Sequence, residues 1–427
     1  MKRFFSVFSV ILLTAVLCAG CTLQSAQEES TGSGSDIELE VWLCYDRNVP
    51  GSYYVFLWDD LGEAYGYDIE VKTYTRQEIK TKLKVAMACN ELPDIFYVPG
   101  DSFAETVFSS GLCYPVQEYL EGVPFRDEYV LPWEDGNNYV IPCAPSSCAV
   151  VYYDTELLEE MDLEIPETLD DLLELVWMVE AYNASNGTDY STIELGMNDS
   201  WMGELLYCAA AQSLDADAYE AAVLGGTKQS DDVLADAAVY IEKLIGMNAF
   251  PENFTEIEEA EAVKDFINHN AVLMVHQSSL VYHLTQNMGA DGFSLGLFPG
   301  CGDEDNAVLL DLNGSYSSGL AVSIGSDYAD EAAALCLEFS ERINQTNVED
   351  YHYLSYMTTA YDSTDYYSEN VSTLNTLVQN AETISFFQAS LIPQDDADKW
   401  NTTVKKFYAG EIEAQDMLQD IGLFAQE

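Results

Sequence analysis

Apolar residues in the first hundred positions of the chain recur with two different periods. Every second residue is apolar from Ile37 to Leu43, and this period of two predicts a strand. Residues 68–74, which include β-branched side chains, predict a second strand, and residues 92–98 predict a turn that leads into a short buried strand. Residues 53–65 and 77–90 have helical spacing instead. Strands separated by helices favour a largely parallel sheet with helices on its faces.

A second mixed pattern follows a break near residue 142. There a segment of Pro, Ser, Cys and Ala separates the two halves of the chain. Thr168 is a predicted N-cap, and Asp171, three residues later, completes a variant capping box before a helix. Further strands are predicted at 149–153, 272–275 and 320–324, and further helices at 156–161, 231–247 and 329–343. No internal repeat is visible, which argues against a repeat architecture.

The beginning of the chain has the pattern of a secretory signal peptide. Lys2 and Arg3 precede an apolar run from 4 to 17, which is too short to cross a membrane comfortably, and small residues follow it. We therefore expect residues 1–20 to be a signal peptide, and no later apolar stretch is long enough to span a membrane.

Cys21 is the predicted lipidation site. The residues before it resemble a bacterial lipobox, in which Cys18 occupies the position where leucine is usual. Cleavage without attachment of a lipid is the alternative. Residues 21–36 are mostly Ser, Gly, Gln, Thr and Glu with little apolar content, which predicts a lipidated flexible tether.

Charge is the most unusual feature of the composition. The chain has 74 Asp and Glu against 16 Lys and Arg, a formal net charge of −58. Such a surface repels phosphate backbones, which argues against nucleic-acid binding and against a polybasic membrane patch. Apolar residues make up 48% of the chain, enough for a sizeable core. Most cysteines beyond the leader lie in apolar runs without zinc spacing, so buried free thiols are predicted, while a Cys143–Cys148 disulfide stays open.

Catalytic and metal-binding motifs give no clear signal. The four histidines have no metal-ligand spacing, and no GxSxG, Walker A or GxGxxG motif stands after a predicted strand. With 74 acidic residues, paired carboxylates arise by chance and do not indicate a glycosidase. The adjacent Tyr366 and Tyr367 would suit ferric iron only together with a matched His/Asp set, which the sequence does not offer. We therefore expect no enzymatic activity, no cofactor and no metal.

Four segments, in order along the chain, match the motifs of one protein family. They are Leu92-Pro93-Asp94-Ile95, then the run Tyr139–Pro142, Val151–Asp154 and Pro166–Leu172, then Phe266–Met274, and finally Gly319–Ser323 with the helix after it. In these segments the chain resembles family 1 of the extracellular solute-binding proteins, the substrate-capturing lipoproteins of sugar importers driven by ATP. Asp154 stands where the family usually has asparagine, Leu169 where it has tryptophan, and Asn268 or His269 where it has glycine.

The resemblance implies an α/β protein with the two-lobed, type II periplasmic-binding-protein fold, an interlobe cleft and a hinge. Residues 37–427 would form the solute-binding domain. Lobe one would take about 37–143 and 296–345, and lobe two about 144–295 and 346–427. The hinge crossings would lie near 142–146, near 295–299 and beyond 343.

The resemblance also implies a function. The protein would be an extracytoplasmic monomer, held at the cell membrane by its lipid, that captures a neutral mono- or oligosaccharide by hinge closure. It would deliver this carbohydrate to the permease subunits of an ABC importer. A surface carbohydrate-processing hydrolase, or a sensory or adhesion lipoprotein that retains the fold, are the alternatives.

Candidate ligand-binding residues lie in loops at the cleft positions of the family. Sugar sites need flat aromatic faces together with amides and carboxylates for pairs of hydroxyl groups, and ligands of such sheets bind beyond the carboxyl ends of the strands. The candidates are Tyr45, Asp46, Arg47, Asp101, Asn198, Asp199, Trp201, His276, Gln277, Asn313, Ser315 and Tyr316. At each position an ordinary solvated loop is the alternative.

Three of these candidate groups have particular features. The residues from Asn198 to Trp201 lie in a polar loop that interrupts a helical region. His276 and Gln277 follow a predicted strand, at a place where the family often has a ring-stacking tryptophan. Arg47 is one of few basic residues and could hold a ligand carboxylate through two hydrogen bonds, although an ion pair with a surface acid is the simpler interpretation.

Overall fold

The computed structural model describes most of the chain beyond the predicted tether. The described residues are 37–44, 52–100, 103–144, 147–198, 200–223, 228–300, 307–310, 318–351, 353–358, 369–379, 383–386 and 394–421. They belong to one compact unit, Ile37–Glu427. Within the described part of the chain, no helix has both the length and the apolar character needed to cross a bilayer.

Strands and helices alternate along the chain. The strands are β1 (Glu38–Cys44), β2 (Asp68–Tyr74), β3 (Ile95–Val98), β4 (Ile141–Pro142), β5 (Ala149–Asp154), β6 (Ser191–Glu194), β7 (Ala271–Gln277), β8 (Phe293–Gly296), β9 (Ala307–Leu310), β10 (Gly319–Val322) and β11 (Thr383–Phe386). The helices are α1 (Ser52–Tyr65), α2 (Arg76–Cys89), α3 (Phe103–Phe108), α4 (Gln117–Leu120), α5 (Thr155–Met161), α6 (Leu169–Asn186), α7 (Trp201–Leu214), α8 (Ala216–Val223), α9 (Lys228–Gly246), α10 (Glu259–Ile267), α11 (Val281–Met288), α12 (Ala329–Glu349), α13 (Glu369–Gln379), α14 (Gln394–Tyr408) and α15 (Ala414–Ile421).

The first sheet has the strand order β2-β1-β3-β10-β4 among the described strands. β1 is parallel to β2 and to β3, as the alternation of strands and helices predicts. β10, however, is antiparallel to both β3 and β4. The expectation of a largely parallel sheet is therefore wrong for these strands. Hydrophobic periodicity identifies a strand but does not encode its direction, and β10 is reached only after the chain has built the second sheet.

The second sheet has the described strand order β6-β7-β5-β8. β6 is parallel to β7, whereas β5 is antiparallel to both β7 and β8. A third pair of strands, β9 and β11, is parallel and lies outside both sheets. The fold is thus a mixed α/β architecture with two main sheets, each packed against helices.

Both faces of the central strand β5 are buried. Val151 and Tyr153 pack into a core with residues of α6 and α7. Val150 and Tyr152 instead join a second core cluster that also contains Leu39 of β1. A strand buried on both faces appears in the sequence as a continuous apolar run, and Ala149–Tyr153 has that pattern.

The predicted lobe boundaries stay a prediction, but the described strands can be compared with them. The strands of the first sheet come from the ranges assigned to lobe one, and those of the second sheet come from 149–296. Two segments contact elements outside their assigned ranges. β9 pairs with β11, and Met357 forms an isolated β-bridge with Phe125.

The described cysteines carry free thiols, and most of them are buried. Cys143 and Cys148 are both buried thiols that are not joined to each other, so the structure does not form the disulfide that the sequence left open. Burial raises the pKa of the Cys113 thiol to about 12, so this thiol is unreactive near neutral pH. Cys301 lies outside the described residues.

Candidate functional site

The carboxyl ends of β6 and β7 bring two candidate segments to one edge of the second sheet. The strands are parallel, with Glu194 opposite Met274. The loop from 195 to 200 and the end of β7 at His276 and Gln277 therefore leave the sheet side by side. This is the edge at which ligands of α/β sheets bind.

Trp201 and His276 are in direct contact at this edge. Trp201 is the first residue of α7, and its ring centroid lies 5.0 Å from that of His276, with the two rings nearly perpendicular at 86°. This edge-to-face arrangement is favourable for aromatic rings. The side chain of His276 is only 4% exposed. Trp201, which packs against it, is itself partly buried.

Glu259 adds a carboxylate to the pair. Its Oε1 atom lies 3.4 Å from Nε2 of His276, and its side chain is 48% exposed. Neither ring nitrogen of His276 makes a hydrogen bond of good geometry with another described residue. Burial raises the pKa of Glu259, but His276 and the Trp201 side chain outweigh that effect, so the pKa lies below its ordinary value. The site therefore presents an ionised acceptor beside an aromatic ring.

Two glycines allow the loop before α7 to lie close to its neighbours. A Cβ atom at Gly196 would lie 3.1 Å from the backbone of Glu258 and Ile257. A Cβ atom at Gly203 would lie 2.2 Å from Sδ of Met197 and 3.0 Å from the Tyr408 ring. A side chain at Gly203 would require Met197 to move, and one at Gly196 would require the neighbouring backbone to move by a few tenths of an ångström.

Hydrogen bonds then hold Asn198 in place from three sides. Its backbone N–H donates to the carbonyl of Ile257 at 2.9 Å, and its side-chain amide donates to the Glu258 carboxylate. Nζ of Lys405, on α14, donates to the carbonyl of Asn198 at 2.6 Å. Asn198 is thus positioned by the segment that leads into α10 and by α14, and not by its own loop alone.

Gln277 lies beside the segment that connects the two sheets. Its backbone carbonyl accepts a hydrogen bond from the Tyr152 hydroxyl at 2.9 Å. The next residue, Ser278, donates its N–H to the carbonyl of Cys148 at 2.8 Å, and its hydroxyl accepts from the N–H of Cys148 at 3.0 Å. The chain from β4 to β5, which is a predicted hinge crossing, therefore reaches the second sheet next to this site.

The structure describes only part of the predicted site. Asn198, Trp201, His276 and Gln277 are described and lie along one sheet edge. The remaining candidates lie outside the described residues: Tyr45, Asp46, Arg47, Asp101, Asp199, Asn313, Ser315 and Tyr316, together with the lipidation candidate Cys21.

One local expectation was wrong. The loop with Asn198 does not interrupt a helical region, because strand β6 precedes it and α7 follows it. β6 is only four residues long, so its period of two is too short to recognise, although β-branched Thr192 and Ile193 are typical of a strand.

Glu258, Glu259 and Lys405 were missed by the sequence reasoning. The two glutamates stand directly before or at the start of α10, a position where acidic residues commonly serve only to stabilise the helix end. Lys405 comes from a part of the chain more than two hundred positions later, and sequence spacing gives no sign of that contact. Only the tertiary structure places Glu258 and Lys405 against Asn198, and Glu259 beside His276.

The described groups suit recognition better than covalent chemistry. An aromatic ring, an ionised carboxylate and an amide can contact the faces and the hydroxyl groups of a polar ring compound. In the described part of the chain, no group of three or more His, Cys, Asp and Glu side chains could hold a metal ion.

Sequence comparison now assigns the family. Residues 57–376 match the sequence model described as bacterial extracellular solute-binding protein. The chain belongs to this family. No curated protein sequence matches the chain.

Solved structures confirm the two-lobed fold of this solute-binding protein. A chitin oligosaccharide binding protein is 17% identical to it, with a TM-score of 0.78 over 91% of this chain and 98% of the other. A structure from work on xylan utilization by Caldanaerobius polysaccharolyticus is 19% identical, with a TM-score of 0.75 over 90% and 99%. A sugar transporter protein of Bacillus licheniformis in complex with stachyose is 16% identical, with a TM-score of 0.66 over 90% and 98%.

The backbone conformation of His269 decides which residue stands at the glycine position of the motif described above. His269 has a φ of 60°, in the left-handed region that favours glycine, and we therefore assign the family's glycine position to His269 and not to Asn268. Nδ1 of His269 lies 2.7 Å from Oδ2 of Asp154, the residue that replaces the family's asparagine. The two departures thus contact each other in this solute-binding protein.

Proposed function

We propose that this solute-binding protein captures a carbohydrate in a cleft between its two lobes and delivers it to the permease of an ABC importer. Closure about the hinge would enclose the ligand, and the lipid on Cys21 would hold the protein at the outer face of the membrane. The chemistry of transport would take place on other chains, so the protein itself neither cleaves nor joins its ligand.

One observation carries this proposal. Trp201, His276 and Glu259 form a contiguous group at the carboxyl edge of β6 and β7, the edge at which an α/β sheet binds ligands. The accessible part of the partly buried Trp201 ring can stack on the apolar face of a sugar. The Glu259 carboxylate, whose pKa is lowered, can accept hydrogen bonds from the sugar's hydroxyl groups. The names of the similar structures, which mention chitin oligosaccharide and stachyose, support a carbohydrate as the first class to test.

A thermal-shift screen over neutral mono- and oligosaccharides tests the proposal. A ligand at about 100 times its dissociation constant stabilises the folded protein by about 2.7 kcal/mol. We expect at least one sugar to raise the melting temperature of the native protein. Trp201→Ala should remove that shift, and the isosteric Glu259→Gln should reduce it.

Trp177→Ala is the matched control, because Trp177 lies on α6 and is 65% exposed. This variant should keep the full ligand-induced shift. Because Trp201 also packs on the core, each shift is measured against the same variant without ligand. Equal shifts in Trp201→Ala, Trp177→Ala and the native protein would remove Trp201 from the site.

The alternatives predict different outcomes. A carbohydrate-processing hydrolase would convert its sugar, so chromatography of the oligosaccharide after incubation should show the intact compound if the proposal is right. A sensory or adhesion lipoprotein would bind the sugar without supporting uptake. Loss of uptake of the identified sugar in cells that lack this protein would favour transport, and undiminished uptake would favour the sensory role.

The anchor is tested separately. Cys21→Ser removes the thiol to which the lipid would be attached. We expect the native protein in the membrane fraction and the variant in the soluble extracytoplasmic fraction. Membrane association of the variant equal to that of the native protein would contradict the lipid anchor but leave carbohydrate binding untouched.

A further inference from the structure

A small cavity lies on the first sheet, at the amino ends of its strands. Asp68, at the beginning of β2, donates its N–H to the carbonyl of Ile37 at 2.9 Å, which marks this end of the sheet. The cavity has a volume of about 260 Å³. It is lined by Tyr65, Tyr67, Asp330, Glu331, Ala334 and Leu335. It is therefore separate from the candidate site on the second sheet.

One wall of this cavity is aromatic. Tyr65 is the last residue of α1, and Tyr67 directly precedes β2. Their ring centroids are 5.8 Å apart, and the ring planes are inclined at 33°. Tyr65 is 49% exposed, so its ring is accessible to a ligand. Two tilted rings at this separation can contact the same small ligand.

The lining also includes two acidic residues, Asp330 and Glu331, from the first turn of α12. The hydroxyl groups of Tyr114 and Tyr119 both donate to Oδ1 of Asp330, at 2.5 and 3.1 Å. The hydrogen bond from Tyr114 contributes most, and that from Tyr119 adds to it, so the pKa of Asp330 lies below its ordinary value. Asp330 is thus an ionised group with a fixed orientation, and Glu331 follows it. No lining residue is basic.

We propose that this cavity binds an alkylammonium group. A cation above the face of a tyrosine ring is attracted by the ring quadrupole, and the carboxylates of Asp330 and Glu331 supply the opposite charge. Ala334 and the buried Leu335 offer apolar contact to the methyl or methylene groups that surround the nitrogen. The formal charge of −58 favours the approach of a cation over that of an anion.

The probe is choline, and its neutral isostere 3,3-dimethylbutan-1-ol is the comparison ligand. Titrations followed by NMR of the full chain should show saturable binding of choline with a dissociation constant on the order of 1 mM or weaker, as expected for an exposed cation–π site. The neutral isostere should bind at least about five-fold more weakly. Equal binding of the two compounds would overturn the proposal, because apolar contact alone would then account for it.

Two variants locate the binding. Asp330→Asn keeps the shape of the side chain and removes its charge, and Tyr65→Leu removes one ring, so each should weaken choline binding by about five-fold. Glu341→Gln is the control, since it removes an equal charge from an exposed position further along α12. If Glu341→Gln weakens choline binding as much as Asp330→Asn does, the effect comes from the general negative field and the site is refuted.

Stability is measured in parallel, because acidic residues in the first turn also stabilise α12 itself. A variant that lowers the melting temperature but leaves choline affinity unchanged would show a purely structural role for that residue, and this outcome at both Asp330 and Tyr65 would overturn the proposal.

The source of the ammonium group is distinguished with vesicles. Sedimentation with phosphatidylcholine vesicles that depends on Asp330 would assign the site to a lipid headgroup. Binding of choline without binding to vesicles would assign it to a free solute.

Discussion

At the scale of single residues, His269 shows how one substitution can depend on another. Its left-handed backbone suits glycine, yet its Nδ1 atom contacts Asp154, whose side chain is buried and also accepts a hydrogen bond from the N–H of Leu157 at the start of α5. Burial raises the pKa of Asp154 above its ordinary value, although the hydrogen bonds from the Leu157 N–H and His269 act in the opposite direction. The contact between the His269 imidazole and the Asp154 carboxyl is favourable, and it offsets the cost of the left-handed backbone at His269.

Replacing His269 by glycine and by alanine separates the two effects. Both changes remove the contact with Asp154, but only alanine retains the strain of the left-handed backbone, which costs about 1 kcal/mol. We expect the free energy of unfolding, measured by urea denaturation, to be about 1 kcal/mol lower for His269→Ala than for His269→Gly. Equal values for the two variants would show that the φ of 60° is not a source of strain.

Glu194 is a buried carboxyl whose charge opposes folding. Glu194 is the last residue of β6 and is only 2% exposed. Its Oε1 atom has no hydrogen-bond partner among the described residues. Burial, followed by the nearby charge of Asp265, raises the pKa of Glu194 to about 8. The folded protein thus holds a proton on Glu194 at neutral pH that the unfolded chain releases above its own pKa of about 4.3.

The stability of the protein should therefore fall as pH rises. A carboxyl with a raised folded pKa binds more protons in the folded state, so its contribution is full below about pH 4 and is lost progressively up to about pH 8. Glu194→Gln should flatten this part of the curve of unfolding free energy against pH. Glu242→Gln, at an exposed position of α9, should leave it unchanged. If the unfolding free energy of Glu194→Gln falls with pH as steeply as that of the native protein, groups other than Glu194 cause the fall.

At the scale of elements, helix ends and isolated strands could be predicted because their signals are local. The predicted capping box forms at α6, where Thr168 and Asp171 exchange side-chain-to-backbone hydrogen bonds, and the predicted strand at 68–74 coincides with β2. The direction of β10 and the short strand β6 could not be predicted, because they depend on pairing with distant segments. Glu258, Glu259 and Lys405 could not be predicted as site residues for the same reason.

The support that α14 gives to the site is open to a test. Lys405→Met keeps the aliphatic stem of the side chain but removes the donor to the carbonyl of Asn198. We expect the affinity for the sugar found in the thermal-shift screen to fall by about three- to ten-fold, as for the loss of one hydrogen bond with a net contribution of about 1 kcal/mol. Calorimetric titration measures this, with Lys406→Met, an exposed neighbour on α14, as the control. Equal losses in both variants would indicate a general charge effect.

At the scale of the whole molecule, repulsion among the acidic residues is the main electrostatic effect that opposes folding. The formal net charge of −58 makes the compact state repel itself. Among the described residues, the ion pairs Lys72–Glu40 and Arg342–Glu338 are partly exposed, and such pairs contribute little to stability. Dissolved salt screens both the repulsion among the acidic residues and the attraction within these ion pairs. The repulsion is the larger effect, so its loss should dominate.

Added salt should stabilise the protein. Between about 20 mM and about 500 mM NaCl the Debye length falls several-fold, so we expect the melting temperature to rise across this range. A non-electrolyte at matched osmolality, such as glycerol, controls for the effects of excluded solute. A melting temperature that falls with salt would mean that attractive ion pairs dominate the surface.

Residues of α14 surround the beginning of α7. The Tyr408 hydroxyl donates to the carbonyl of Gly203 at 2.9 Å, the Trp400 ring lies 5.4 Å from that of Tyr207, and Lys405 holds Asn198. Because a ribosome makes the chain from its amino end, the strands that carry the recognition loop exist long before these anchors. The strands of that sheet are thus available early, yet the recognition surface is complete only after more than two hundred further residues have followed Asn198.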